Sequence, residues 1–246
     1  MDTVVPGQRG SAVEDRRLLR ARRTREALAT AAVELILERG LAATTVEAVA
    51  ERADVTRRTF SRYFTGKEDA ALGFVRDDGE RINALLRARP AGEPPLLAYR
   101  RAVRAWLTDP HTPARHVRPR MRRIIALLDS EPTLFAAYER IRVDAQDESV
   151  RIVADRLGAG DPRDLRPAVV VEAAAGVLTA ALRTWAHTPD DQVGPDGPAA
   201  DLADLVERAY DVLSDQAAAA AAHRTTEEQR TTREHRTTEE PRTTDE

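Results

Sequence analysis

Between Thr44 and Lys67 the sequence TTVEAVAERADVTRRTFSRYFTGK gathers cations and hydroxyls at spacings suited to nucleic acid. Arginine pairs bidentately with guanine edges, and threonine or serine reaches bases or phosphate oxygens. A helix over Arg57 to Phe64 would turn Phe60 and Phe64 inward, leaving Arg57, Arg58, Thr59, Ser61, Arg62 and Tyr63 outside. Arg57, Arg58 and Thr59 are candidates for base edges. Thr45, Thr56, Arg62, Tyr63 and Lys67 are candidates for DNA contact around them, chiefly to phosphates. Upstream, Arg16, Arg17, Arg20, Arg22, Arg23 and Arg25 crowd one segment, Arg22 being the candidate carried forward for phosphate or minor-groove contact. A charged first helical turn accounts for that crowding equally well, and a solvated helical hairpin fits the Thr44–Lys67 spacing.

Other chemistries find no constellation. The chain has no cysteine, so thiol nucleophiles, disulfides and cysteine metal sites are excluded. His111, His116, His187, His223 and His235 fall in no metal-ligand spacing, and no phosphate-cradling glycine loop or nucleophile elbow occurs. No metal, cofactor or catalytic set is therefore expected. His111 and His116 flank a Thr-Pro turn and are expected at the surface, as is the acidic cluster Asp77, Asp78 and Glu80.

The elements that must position these groups are short helices. Thr44 and Glu47 have capping-box spacing, predicting a helix from Thr45 with Val46, Val49, Ala50 and Ala53 inward. Asp54 suits a left-handed turn, and Thr56 suits the cap of the next helix. Thr65 and Glu68 repeat the box and open a further helix. Ahead of them, Leu28, Ala31, Ala32, Leu35 and Ile36 form the stripe of a helix ending at Arg39, with Gly40 as its left-handed stop.

In its T-T-V, A-x-V-T, T-F-x-R-Y-F and K-E-D words, the stretch TTVEAVAERADVTRRTFSRYFTGKED resembles the DNA-binding motif of the TetR family of bacterial transcriptional regulators. The similarity runs from about Arg22 to Phe74, and the wording most resembles an actinobacterial branch for which acyl-CoA-like ligands have been suggested. Asp54 stands where family members often have Gly, and Arg58 where many have a small residue. The resemblance implies an all-α homodimer, cytoplasmic, that binds a palindromic operator in double-stranded DNA. It further implies a repressor released by a small apolar or amphipathic effector. Ligand-cavity candidates are Phe74, Tyr99, Trp106, Phe135 and Tyr138. The family's last two helices pair with those of a twin subunit, making Val170, Ala174, Val177, Leu178, Leu205 and Tyr210 interface candidates. Val169 to Leu182 could equally be the protomer's own core. A helical enzyme or carrier with an incidentally basic N-terminal part is the competing reading.

Charge supports a polyanion-binding part on an acidic body. Residues 1–67 hold 13 Arg or Lys against 9 Asp or Glu, a net +4 in a chain of −3. The domains expected are a disordered 1–15, a helix-turn-helix at 16–66, a ligand and dimerisation part at 67–222, and a disordered tail at 223–246. That tail is four hexamers, HRTTEE, QRTTRE, HRTTEE and PRTTDE, with no large apolar residue to offset ordering entropy. Nine helices and no strand are expected, among them one continuous helix from Glu68 to Arg89. A second long helix, Leu165 to Trp185, should be capped by Asp161-Pro162. No apolar leader opens the chain, and Pro167–Leu182 is interrupted by Glu172 and reads as too short for a bilayer, so no membrane partner is expected.

Overall fold

The computed structural model describes residues 7–111, 114–189 and 197–238. Among these it has ten α-helices, two 3-10 turns and no strand. α1 spans Gly7–Arg39, α2 Val46–Arg52, α3 Arg57–Phe60, α4 Lys67–Ala71 and α5 Gly73–Arg87. α6 (Pro95–Leu107), α7 (Pro119–Ala126), α8 (Pro132–Leu157), α9 (Arg166–His187) and α10 (Pro198–Thr238) complete the body.

Local chemistry sets the ends of these elements. Gly40 stops α1 at φ 85°, and Asp54 turns the α2–α3 corner at φ 53°, the left-handed backbone its side chain tolerates. Gly158, at φ 60°, closes α8 as its amide and that of Ala159 return to the carbonyls of Asp155 and Ala154. Pro119, Pro132 and Pro167 each stand in a first turn, where the missing N–H costs nothing.

Several expectations change. The helix expected from Glu68 to Arg89 is two, α4 and α5, broken at the fully buried Leu72. Gly73 then packs on the Phe64 ring, where an added Cβ would lie 3.5 Å from Cε1. This break makes ten helices of the expected nine. Asp161 does not cap α9: its carboxylate accepts from the Arg163 amide, and Asp164 accepts from the Arg166 amide at the true start. Helix already occupies Gly7 onward, within the stretch 1–15 expected to be disordered, and α10 runs through the repeat to Thr238. Elongating a formed helix adds a hydrogen bond per residue without a new nucleus, and the six alanines before the repeat are the strongest helix formers. Residues 1–6 and 239–246 lie outside the described residues.

Two apolar clusters form the core. One joins α1–α4 to α7 and the first half of α8, through Leu28, Phe60, Phe64, Leu72, Ile124, Leu134, Tyr138 and Ile141. The other joins α5, α6, α9 and α10 to the end of α8 through Leu86, Trp106, Val153, Leu182, Trp185 and Tyr210. α9 corrects the bilayer expectation: its length and composition would suffice to cross a membrane, with a mean hydropathy of 1.4 over its most apolar window. Here it packs on α6, α7, α8 and α10, while Glu172 and Arg183 point outward.

Candidate nucleic-acid interface and effector cavity

Thr45, not Thr44, caps α2, its hydroxyl accepting from the Ala48 amide at 3.1 Å. Thr44 is buried and donates to the Gly40 carbonyl at 2.9 Å. Glu47 is thereby left to pair with Arg57 at 3.0 Å across the corner. α3 is a single turn of helix continued by hydrogen-bonded turns through Tyr63, shorter than the expected Arg57–Phe64 helix. Thr56 caps it, accepting from the Thr59 amide at 3.2 Å with the two hydroxyls 3.1 Å apart. Ser61 turns its hydroxyl back to the Arg57 carbonyl. Phe60 and Phe64 are buried as expected, their rings 5.8 Å apart. Thr45, Thr56, Arg57, Arg58 and Arg62 are exposed, while Thr59 and Tyr63 are half-buried.

The second box also shifts by one residue. Thr65 gives its amide and hydroxyl to Asp69, at 2.9 and 3.2 Å, rather than to Glu68. Lys67 has a structural task that spacing did not reveal. Its ammonium donates to the carbonyls of Leu41 at 2.7 Å and Thr44 at 2.8 Å, closing the turn between α1 and α2. One of its three protons remains for another acceptor. Arg52 ties α2 to α1 by a fork onto Glu38, at 3.1 and 2.9 Å. Arg22 lies on the rim of a groove of about 850 Å³ between α1, α5 and the turn at Arg115–Val117, paired with Glu26 at 3.4 Å.

A small cavity of about 60 Å³ lies among α5, α6, α8 and α9. Of the ligand-cavity candidates, Tyr99, Trp106 and Tyr138 line it. Phe74 does not; it sits in the outer groove, its ring edge-on to His116 at 4.8 Å. Phe135 is 38% exposed on α8, because it follows the buried Leu134 by one residue and so faces about 100° away. Burial pushes the Tyr99 and Tyr138 phenols up from their usual range.

The cavity wall contains a pair that sequence reasoning placed at the surface. Asp78 and His116 are both 4% exposed, with the carboxylate 2.5 Å from Nδ1. Burial drives the Asp78 carboxyl upward, but the His116 hydrogen bond and charge, the Trp106 indole and the Arg115 amide outweigh it and hold it below the usual range. The two residues stand 38 apart in sequence, so no local spacing could have announced them. Elsewhere in the wall Ser149 donates to Asn83 at 2.6 Å, and Arg142 is held by Glu139 and by Gln146 at 2.9 Å.

The dimer candidates divide. Ala174, Val177 and Tyr210 are buried in the protomer's own core, and Val170, Leu178 and Leu205 are half-buried against it. A helix apolar nearly all round does not disclose from its sequence which stripe faces its own protomer. The outward stripe of α9 carries Leu165 and Val169, 71% and 61% exposed, followed by Ala173, Gly176 and Ala180. Beside it Val212 of α10 is 62% exposed.

Comparison with known proteins agrees with this arrangement. Residues 28–70 match the family described as bacterial regulatory proteins, tetR family, and residues 93–218 match the MftR C-terminal domain. The HTH-type transcriptional regulator TcmR of Streptomyces glaucescens is 36% identical over 171 residues, spanning 67% of this chain and 74% of that protein. The fold is shared with the fatty acid degradation regulator FadR from Bacillus halodurans, at 17% identity and TM-score 0.50, over 77% of this chain and 94% of that one. The chain thus belongs to the TetR family of bacterial transcriptional regulators, and is a DNA-binding regulator rather than an enzyme.

Proposed function

We propose that this chain is a homodimeric, cytoplasmic repressor that reads a palindromic operator with α3 and releases it when a small apolar or amphipathic molecule enters the α5–α8 cavity. One observation carries the release step: Tyr138 and Val75 belong to the cluster that packs the DNA-binding helices and also line the cavity. A molecule wedged against them acts on the packing that seats α3. Arg57, Arg58 and Thr59 approach base edges, Arg22, Thr45, Thr56, Arg62 and Tyr63 support the docking, and Lys67 offers its remaining proton to a phosphate. Two copies meet through the outward stripe of α9, where Ala173, Gly176 and Ala180 permit close helix approach, with Val212 of α10 alongside. Nothing beyond the helix's own adjoining residues comes within 4 Å of where a Cβ would stand on Gly176, which leaves that position open to a partner.

Selection of bound duplexes from a random pool tests the reading. The expected consensus is an inverted repeat whose half-sites are centred about one helical turn, or a multiple, apart. A consensus without two-fold symmetry, or no enrichment at all, rules it out.

A further inference from the structure

Three arginines are exposed on α3 and the turn after it, and only one of them is paired. Arg57 Nη1 lies 3.0 Å from the Glu47 carboxylate, the two side chains being 72% and 58% exposed. Arg58 and Arg62 have no acidic partner among the described residues. The acid that holds Arg57 belongs to α2. Its spacing would let it bond back to the Thr44 amide, but the Leu41 carbonyl takes that amide at 3.2 Å and Thr45 caps the helix. The carboxylate reaches instead across the corner to the first residue of α3.

This pair weighs two kinds of DNA acceptor differently. Guanine offers O6 and N7, two uncharged acceptors matched to the guanidinium fork, and the correct pairing is worth about 5- to 150-fold. The exposed ion pair is worth at most about fivefold, so guanine draws Arg57 off Glu47. A phosphate only exchanges one anion for another. Counterion release makes an unhindered arginine–phosphate contact worth about eightfold at 0.1 M salt and about fifteenfold at 0.05 M, relative to 1 M. Without Glu47 that contact is open to Arg57 on any sequence. With Glu47, loss of the ion pair offsets up to about fivefold of it, and repulsion between carboxylate and phosphate works against the remainder.

We infer that Glu47 is a specificity-determining residue, which positions Arg57 and withholds it from phosphates so that this arginine engages DNA only at guanine. The inference rests on the base-reading role proposed above for Arg57. Arg58 and Arg62, with no acid beside them, keep their attraction to phosphate on every sequence.

The test titrates the full-length protein with the duplex enriched by selection and with a scrambled duplex, between about 0.05 and 0.3 M salt. Glu47→Gln keeps the shape of the side chain and removes its charge. It is expected to steepen the salt slope on the scrambled duplex by about one, and by less on the selected one. The ratio of the two affinities should fall about threefold at 0.05 M, the difference fading as salt rises. Glu51→Gln removes the same charge from an exposed site on α2 that holds no arginine among the described residues, and should leave the ratio in place. In an Arg57→Ala background, Glu47→Gln should shift both duplexes alike. An unchanged or larger ratio in Glu47→Gln overturns the inference while leaving Arg57 as a base reader. So does an equal fall with Glu51→Gln or in the Arg57→Ala background. Equal weakening of both duplexes by Arg57→Ala alone removes the base-reading role, and the inference with it.

Discussion

Arg57 reaches DNA by leaving Glu47, an exposed ion pair that contributes at most about 1 kcal/mol. Its replacement by alanine should therefore cost roughly 1–3 kcal/mol on the operator and little on random duplex. Competition titrations check this, and equal loss on both duplexes would remove its base-reading role. Lys67 behaves differently. Lys67→Met strands the carbonyls of Leu41 and Thr44 and should lower folding stability by about 1–3 kcal/mol, whereas Arg58→Ala should leave the unfolding midpoint in place. A Lys67→Met protein as stable as the parent would make that residue a DNA contact alone. Asp78 predicts a pH signature. Its folded pKa lies below the ordinary value of about 3.9, so its charged form contributes stability in full above that value and loses it as pH falls through the folded value. The stability gap between the parent and Asp78→Asn should then narrow below about pH 4 in denaturant titrations; a gap that widens there contradicts the assignment. At this scale the sequence was legible where a side chain acts on its own neighbourhood. Asp54 in a left-handed corner, Thr56 as a cap and Phe60 facing in are such cases. Asp78 and His116 were not, because their meeting depends on how α5 and the turn at Arg115–Val117 pack.

α5 is the element on which both sites converge, facing the cavity along one side and following the α4 break at Leu72 on the other. Gly79 lets it lie close to α8, with Ala145 opposite. Gly79→Val should hold the two helices apart as an effector would, weakening operator binding several-fold with no ligand present while the protein stays helical. Unchanged affinity in a folded Gly79→Val protein would show that α5–α8 spacing does not reach the DNA-binding helices. Periodicity disclosed the helices but not their interruptions. The stripe continues through Leu72, and only its burial together with the Gly73–Phe64 contact shows why α4 and α5 part. The cap at Thr45 and the Thr65–Asp69 bonds each sit one residue from the expected place for a related reason, since several neighbouring side chains compete for the same amides. In the repeat the expectation weighed burial alone, whereas α10 extends by propagation from a packed start at Leu202, Val206 and Tyr210.

For the whole molecule, the outward stripe of α9 predicts that Val169→Glu yields a monomer that no longer holds the operator, checked by sedimentation beside DNA titration. Persistence of the dimer would move the interface elsewhere. The repeat has no large apolar residue to bury, so ending the chain after Ala222 should leave its unfolding midpoint unchanged. The family and the all-α class were legible in one ordered run of motifs near the N-terminus. The body was legible only as helices, because its cavity and its outward face arise from packing among segments far apart in sequence. The most direct test of the central claim is binding of the full-length chain to DNA from upstream of its own gene and to a scrambled duplex, at two salt concentrations. Non-specific binding rests on counterion release and collapses as salt rises, whereas base contacts persist. The predicted result is a complex that survives on the native fragment at the salt that frees the scrambled one. Equal loss from both would mean that the Arg57–Thr59 face is basic without being a reader of this DNA.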